Sequence, residues 1–201
     1  PMGHNTPQPA QGLSPLLSVD GGRSAAFLPT DGYIDPASVT QAIAKGERQH
    51  GARIFEHTKV TSITVDGRRA STLHIVDADG EAGEIACEMV VNAAGMWGME
   101  IGRMAGVRIP AVAVEHQYVL TGPIPDVDPA ELRNMPTMRD PDLLVYYKPD
   151  GPGLLIGGYE PDTLPFGLDG IPVPFQRQLL EPNFDRFEQL ATLAAQRTPV
   201  I

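Results

Sequence analysis

A chain of 201 residues is long enough to bury a hydrophobic core, in one domain or in two small ones. Its 25 acidic residues outnumber its 15 basic residues, and the net charge of −10 disfavours nucleic acid and anionic lipid as partners. The sequence has no apolar run of the roughly 18 residues that a membrane-spanning helix needs, so we predict no membrane span. Cys87 is the single cysteine, which rules out a disulfide within the chain and favours a reducing, cytoplasmic location.

The first part of the chain carries two local signals. Residues 1–12 are polar and begin with a sequence that resembles a cloning scar, so we expect a disordered leader there. A strand is predicted within residues 24–34. Asp35 and Pro36 then supply an N-cap and a first-turn proline, and Gly51 supplies a C-terminal stop. These residues predict a helix over about 36–49.

The next forty residues carry short strand patterns separated by Asp-Gly dipeptides, which favour tight hairpin turns. The predicted strands are Arg53–Glu56, Val60–Val65, Thr72–Val76 and Glu84–Cys87. This pattern is typical of a β-meander. It leads to Met89–Asn92, whose apolar residues predict a strand buried on both faces, as in a parallel sheet.

Small residues follow that apolar run, and residues 96–106 then have apolar side chains at near-helical spacing. The stretch therefore predicts a strand, a tight turn and a helix. Small residues at such a turn let a ligand approach the backbone. From spacing alone, a plain strand-to-helix crossover packed by alanines is the simpler interpretation.

The remaining part of the chain predicts an antiparallel sheet. Residues 112–121 alternate strictly, so one face carries Val112, Val114, His116, Tyr118 and Leu120. Residues 143–148 and 154–159 predict a hairpin, and residues 183–196 predict an amphipathic helix. The glycines of that hairpin turn open a strand and not a helix, and the chain contains no G-x-G-x-x-G dinucleotide fingerprint. Together the patterns predict a mixed α/β (α+β) fold of two interleaved layers.

Six motifs in this order resemble those of flavin-dependent amine oxidoreductases, in the branch of the dimethylglycine and sarcosine dehydrogenases. They are DGYIDP (Asp31–Pro36), the spacing Glu56-x-Thr58-x-Val60-x-x-Ile63, VVNAAGMWG (Val90–Gly98), EHQYVLT (Glu115–Thr121), RDPD (Arg139–Asp142) and LLIGGYEP (Leu154–Pro161). The resemblance implies an internal fragment of an FAD enzyme that demethylates a small N-methylated glycine-type amine. It also implies that residues 35–110 belong to the FAD-binding layer and residues 111–201 to the substrate-binding sheet with its C-terminal helix.

The resemblance also implies roles for individual residues. The catalytic candidates are His116, Tyr147 and Tyr146; the FAD-binding candidates are Val60, Asn92, Ala93, Ala94, Gly95 and Trp97; and the substrate-binding candidates are Tyr159 and Glu160. Adjacent tyrosines on a strand point to opposite faces, so only one faces the pocket, and Tyr147 is the preferred choice. A solvated glutamate at Glu160 and a packed tryptophan at Trp97 are the alternatives at those positions.

Other interpretations stay open. His116 on an apolar face could be a hydrogen-bonded core histidine instead of a proton acceptor. The whole protein could be an amino-acid or glycerol-phosphate oxidase, or a non-catalytic binding module with a flavoprotein-like fold. No set of histidines, cysteines and carboxylates has metal-ligand spacing, so we predict no metal site.

Overall fold

A computed structural model of the chain describes residues 3–5, 7–175 and 178–201. In chain order the elements are β1 (Gly3–Asn5), α1 (Pro7–Leu13), β2 (Ala25–Phe27), α2 (Pro36–Gln49), β3 (Lys59–Asp66), β4 (Arg69–Val76), β5 (Ala82–Ala86), a 3₁₀ turn (Gly95–Trp97), α3 (Gly98–Met104), β6 (Ala113–Val114), β7 (Tyr118–Leu120), α4 (Pro129–Arg133), β8 (Met138–Asp140), β9 (Val145–Asp150), β10 (Gly153–Gly158), β11 (Pro165–Phe166) and α5 (Phe184–Arg197). This content confirms the mixed α/β class.

The chain divides into two compact units, which we call the sheet unit and the meander unit. The sheet unit comprises Pro1–Ile34, Glu115–Thr163 and Leu179–Ile201, and the meander unit comprises Asp35–Val114 and Leu164–Gln178. The sequence analysis assigns all of 111–201 to the substrate-binding sheet, whereas residues 111–114 and 164–178 group with the meander unit. The reason is a strand pairing, because β11 pairs with β6.

The sheet unit is built on a four-stranded antiparallel sheet in the order β7-β10-β9-β8. Helix α5 covers one face of this sheet, and its N-cap residue Asn183 accepts a hydrogen bond from the backbone N–H of Arg186. The side chains between helix and sheet form the core: Ile124, Leu132, Val145, Tyr147, Leu154, Ile156, Leu190 and Ala194. The two-residue turn Gly151-Pro152 joins β9 to β10.

The meander unit contains the antiparallel sheet β3-β4-β5, as the Asp-Gly turns predict. Helix α2 begins where predicted, because the Asp35 carboxylate accepts a hydrogen bond from the Ser38 N–H at 2.7 Å and Pro36 follows it. The helix ends before Gly51, which has a positive φ of 90°. Local capping chemistry therefore sets both ends of this helix.

Two predicted strands of the meander unit do not form. Met89–Asn92 has no strand pairing among the described residues, and Met89 and Val91 are 79% and 81% exposed. A parallel strand exists only beside hydrogen-bonded neighbours, and no described segment supplies one. Arg53–Glu56 is a loop, and His57 next to it has a positive φ of 54°, which is incompatible with a strand continuing into β3.

Two further predictions are wrong for reasons of pairing. The alternating stretch 112–121 is not one strand, because β6 pairs with β11 and β7 pairs with β10, in different sheets. Where residues 1–12 are described, they are not a disordered leader, because β1 pairs antiparallel with β2 and α1 follows β1. Strand β2 itself lies inside the predicted 24–34 segment.

Candidate functional site

Strand β9 and the residues before β7 bring a histidine and a tyrosine into contact in the sheet unit. His116 Nε2 lies 2.8 Å from the Tyr146 hydroxyl oxygen, within hydrogen-bonding distance. The two rings are stacked, with centroids 5.9 Å apart and planes inclined by 18°. His116 is exposed, so it is a surface residue of this unit and not a core histidine.

Two more tyrosines surround this pair. The Tyr159 ring lies 5.5 Å from the Tyr146 ring at an angle of 57°, and Tyr118 is two residues after His116 along the chain. Tyr118 and Tyr159 are each 47% exposed. We call His116, Tyr118, Tyr146 and Tyr159 the aromatic face. Such a face offers ring surfaces that attract a cationic or methylated amine, together with hydroxyl and imidazole groups that exchange protons.

The protonation of Tyr146 follows from its surroundings. Burial raises the pKa of the Tyr146 phenol above its usual value of 10.0, and the neighbouring Tyr159 and Tyr118 raise that pKa further. The hydroxyl therefore keeps its proton throughout the neutral pH range. It can donate to His116 or accept from it, according to the imidazole tautomer.

Tyr147 points to the other face of the sheet. Its side chain is 5% exposed, and its hydroxyl donates a hydrogen bond to the backbone carbonyl of Ala194 in α5 at 2.9 Å. Because successive side chains of a strand alternate, only one of the two tyrosines can lie beside His116. The structure places Tyr146 there and Tyr147 in the core, which corrects the preference for Tyr147.

Glu160, the residue after Tyr159, forms an ion pair with helix α5. Its carboxylate is 3.7 Å from the Arg186 guanidinium of α5, and its side chain is 13% exposed. The alternative of a solvated glutamate is therefore wrong, since the side chain is largely buried. Arg186 also donates a hydrogen bond to the backbone carbonyl of Asp162. The positive charge of Arg186 offsets the negative charge that would attract an ammonium group.

The FAD-binding candidates lie in the meander unit. Asn92 holds their turn together, because its amide nitrogen donates to the Gly98 carbonyl at 2.9 Å and its amide oxygen accepts from the Ala94 N–H at 3.3 Å. Gly95 has a φ of 55° and no atom within 4 Å of the position of a Cβ. Ala93 and Gly95 are exposed. An exposed turn of small residues fits the approach of a flat cofactor to the backbone.

The other two FAD-binding candidates are less exposed. Val60 is half-buried in β3, where it pairs with Ile75 of β4. Trp97 is half-buried at the end of the 3₁₀ turn, and the backbone N–H of Trp97 donates to the Ala94 carbonyl at 3.0 Å. The side chain of Trp97 is thus neither a fully packed core residue nor a freely exposed ring.

Two negative findings apply to the described ranges 3–5, 7–175 and 178–201. No group of three or more histidine, cysteine, aspartate or glutamate side chains is placed to hold a metal ion there. No helix in these ranges has the length and apolar character needed to cross a bilayer.

Comparison with known proteins identifies the family to which the chain belongs. The FAD dependent oxidoreductase family matches residues 6–201. The chain belongs to this family. It is 34% identical over 196 residues to mouse mitochondrial sarcosine dehydrogenase, a match that covers 98% of the chain and 21% of the relative. It is 34% identical over 200 residues to rat mitochondrial dimethylglycine dehydrogenase, covering 97% of the chain and 23% of the relative.

Two further similarities bear on fold and function. The crystal structure of L-proline dehydrogenase from P. horikoshii superposes with a TM-score of 0.73 at 25% identity, covering 99% of this chain and 48% of that one. A mouse mitochondrial protein described as the pyruvate dehydrogenase phosphatase regulatory subunit is 30% identical over 198 residues, covering 98% of the chain and 22% of the relative. The chain thus spans about a fifth of the length of the sarcosine and dimethylglycine dehydrogenases that it matches.

The sequence analysis missed two residues that lie at the aromatic face, Tyr118 and Gly157. Tyr118 is two residues after His116, and side chains two residues apart on a strand lie on the same face. This spacing could have identified Tyr118 as a neighbour of His116. Gly157 lies in the interior of β10, directly opposite Tyr146 on β9 and Tyr118 on β7. A glycine inside a strand often marks a place where another group approaches the backbone closely. The position of Gly157 within a predicted strand could therefore have identified it.

Proposed function

We propose that this chain supplies the substrate face and part of the flavin contact of an FAD-dependent enzyme that demethylates dimethylglycine or sarcosine. The hydrogen-bonded pair of His116 and Tyr146 on an open aromatic face is the observation that carries the proposal. The match to the FAD dependent oxidoreductase family and to sarcosine and dimethylglycine dehydrogenases supports the cofactor and the substrate class.

The reaction needs a neutral amine, because the nitrogen lone pair must form a double bond to the methyl carbon as that carbon loses a hydride. Bound FAD accepts this hydride. Water then adds to the iminium product, which releases formaldehyde and the demethylated amine. The tasks left to the protein are to hold the amine, to take its proton and to orient the methyl group.

His116 can take the ammonium proton. In the tautomer whose Nε2–H donates to the Tyr146 oxygen, the lone pair of Nδ1 is available, and within the described residues Nδ1 has no hydrogen-bond partner. Tyr146 fixes the imidazole plane by hydrogen bonding and stacking. The rings of Tyr146 and Tyr159 can contact the N-methyl groups.

The cofactor contact would come from the meander unit. The exposed turn that Asn92 holds, including Ala93 and Gly95, would lie against the flavin, and Val60 would lie at the adenine end. The backbone cradle that binds a dinucleotide pyrophosphate needs a G-x-G-x-x-G turn, which this sequence does not contain. The chain by itself is therefore expected to be inactive.

Two alternatives are less well supported. A glycerol-phosphate substrate calls for arginine or lysine, whereas the four side chains of the aromatic face carry no permanent charge. A non-catalytic module has one specific observation in its favour, the similarity to a protein described as a regulatory subunit. A flavin absorption spectrum of the full-length gene product distinguishes a flavoenzyme from such a module.

The test of the site uses His116→Asn in the full-length gene product, with His50→Asn as an exposed-histidine control. We expect the rate of anaerobic flavin reduction by sarcosine or dimethylglycine to fall roughly 10²-fold or more in His116→Asn and to be unchanged in His50→Asn. The melting temperature of both variants should stay near that of the wild type, because both side chains are exposed. A large drop in melting temperature with a near-normal rate would return His116 to a structural role.

A further inference from the structure

Strand β10, one of the two inner strands of the sheet unit, contains a glycine whose presence is not explained by its backbone conformation. Gly157 in β10 is not among the glycines with a positive φ, so other residues could adopt its backbone angles. A Cβ at this position would lie 2.2 Å from both Cζ and Oη of Tyr146 and 2.7 Å from its Cε1. The three nearest atoms therefore all belong to one side chain of the aromatic face.

The strand order explains why the space over Gly157 matters. Tyr146 lies on β9 and His116 lies just before β7, and β10 separates these two strands. Neighbouring strands are about 4.8 Å apart, so the tyrosine must reach across a complete strand to meet the histidine. Gly157 is its direct cross-strand partner, and the phenol ring crosses β10 over this residue.

We propose that Gly157 is a positioning residue of the site: its missing side chain lets the Tyr146 phenol lie across β10 and hydrogen-bond His116. The role of this contact in amine oxidation rests on the proposed function. A methyl group at position 157 would occupy the space that the phenol needs, so the ring would rotate away and the 2.8 Å contact to His116 would be lost.

The next residue supplies a matched control. A Cβ at Gly158 would lie 2.0 Å from Cδ1 of Leu190 in α5, on the opposite face of the sheet. Gly158→Ala therefore introduces a comparable clash in the same strand, one residue away, without touching Tyr146. A general disturbance of β10 would affect both variants, whereas a positioning role belongs to Gly157 alone.

The first experiment observes the hydrogen bond directly, without any reaction. The 201-residue chain is prepared with ¹⁵N-histidine and ring-labelled ¹³C-tyrosine, and the NMR signals of His116 and Tyr146 are assigned from His116→Asn and Tyr146→Phe. We expect Gly157→Ala to shift the His116 Nε2 signal to the value found in Tyr146→Phe. In Gly158→Ala the signal should stay at the wild-type value. A wild-type signal in Gly157→Ala would overturn the proposal.

The second experiment measures flavin reduction in the full-length gene product. Gly157→Ala should slow reduction as much as Tyr146→Phe does, and the double variant should be no slower than either single variant, because both act on one contact. Losses that multiply in the double variant would overturn the proposal. If the wild type reduces no flavin with any N-methyl amine, the proposed function fails, and the NMR comparison alone decides the role of Gly157.

A folding failure of Gly157→Ala is also informative. Because the nearest atoms to its new methyl group all belong to Tyr146, removing that ring should remove the clash. Gly157→Ala in a Tyr146→Ala background should then melt at the temperature of Tyr146→Ala alone. A double variant that still fails to fold would show that Gly157 is needed for another reason, and would contradict the proposal.

Discussion

Tyr147→Phe removes a buried hydroxyl from the core of the sheet unit. The hydroxyl donates to the Ala194 carbonyl at 2.9 Å, and that carbonyl also accepts from the Thr198 N–H at 2.8 Å. The carbonyl therefore keeps one partner in the variant. At neutral pH we expect Tyr147→Phe to lower the free energy of unfolding by only about 1 kcal/mol, the net worth of one hydrogen bond.

The difference in the free energy of unfolding between wild type and Tyr147→Phe should disappear at alkaline pH. Burial raises the pKa of Tyr147 to about 12, from a usual value of 10.0. A raised folded-state pKa contributes stability that is complete below the unfolded pKa and is lost as the pH rises toward the folded pKa. By pH 11 the wild type should have lost about 1.4 kcal/mol through this group, whereas phenylalanine does not titrate. Because this loss exceeds the neutral difference of about 1 kcal/mol, the stability difference between wild type and variant should reach zero between pH 10 and pH 11.

The assay is urea denaturation of the 201-residue chain, followed by circular dichroism at several pH values between 7 and 11. Tyr159→Phe is the control, since that side chain is 47% exposed and its loss should change the neutral free energy of unfolding by less than about 0.5 kcal/mol. A difference between wild type and Tyr147→Phe that is independent of pH would refute the reasoning. A neutral loss above about 3 kcal/mol would also refute it.

Two further predictions concern the core ion pair and the cofactor. Asp140→Ala should destabilise the chain by on the order of 3 kcal/mol in urea denaturation, because it leaves the largely buried Arg197 guanidinium, which lies 2.6 Å from the Asp140 carboxylate, without a charged partner. Asp150→Ala breaks the more exposed pair with Lys148 and should cost less than about 1 kcal/mol. Equal losses would contradict this. The 201-residue chain should bind FAD weakly or not at all in equilibrium dialysis, because it lacks the phosphate-binding turn; stoichiometric flavin that survives dialysis would be the opposite result.

The sequence predicted best those elements whose determinants are local. Asp35 and Pro36 start α2 through a cap and a first-turn proline, and the Asp-Gly turns define the β3-β4-β5 meander. These signals act within a few residues, so they can be recognised without knowledge of the tertiary structure. The hairpin of β9 and β10 and helix α5 were predicted for the same reason.

The errors concern features that depend on distant partners. Met89–Asn92 has the composition of a buried parallel strand, but a strand also needs hydrogen-bonded neighbours, which its own residues do not encode. The choice between Tyr146 and Tyr147 depends on which face of β9 is covered by α5, almost forty residues later. The pairing of β11 with β6 divides an uninterrupted alternating pattern for a similar reason.

Parts of the sequence interpretation stay predictions. The roles of His116, Tyr146 and Tyr159 in catalysis and of Asn92 and Trp97 in FAD binding await measurement, as does the cytoplasmic location. The sarcosine and dimethylglycine dehydrogenases that match are described as mitochondrial, which is a property of those proteins. The structure contributes the geometry that makes the catalytic proposal specific, namely one tyrosine beside His116 and the other in the core.

Anaerobic mixing of the full-length gene product with candidate substrates tests the central claim most directly. The flavin absorption band should bleach with sarcosine or dimethylglycine, and formaldehyde should form when an electron acceptor is supplied. Amino acids without an N-methyl group and glycerol phosphate should leave the band unchanged. Bleaching by one of those compounds but by no N-methyl amine, or the absence of any flavin spectrum, would contradict the account.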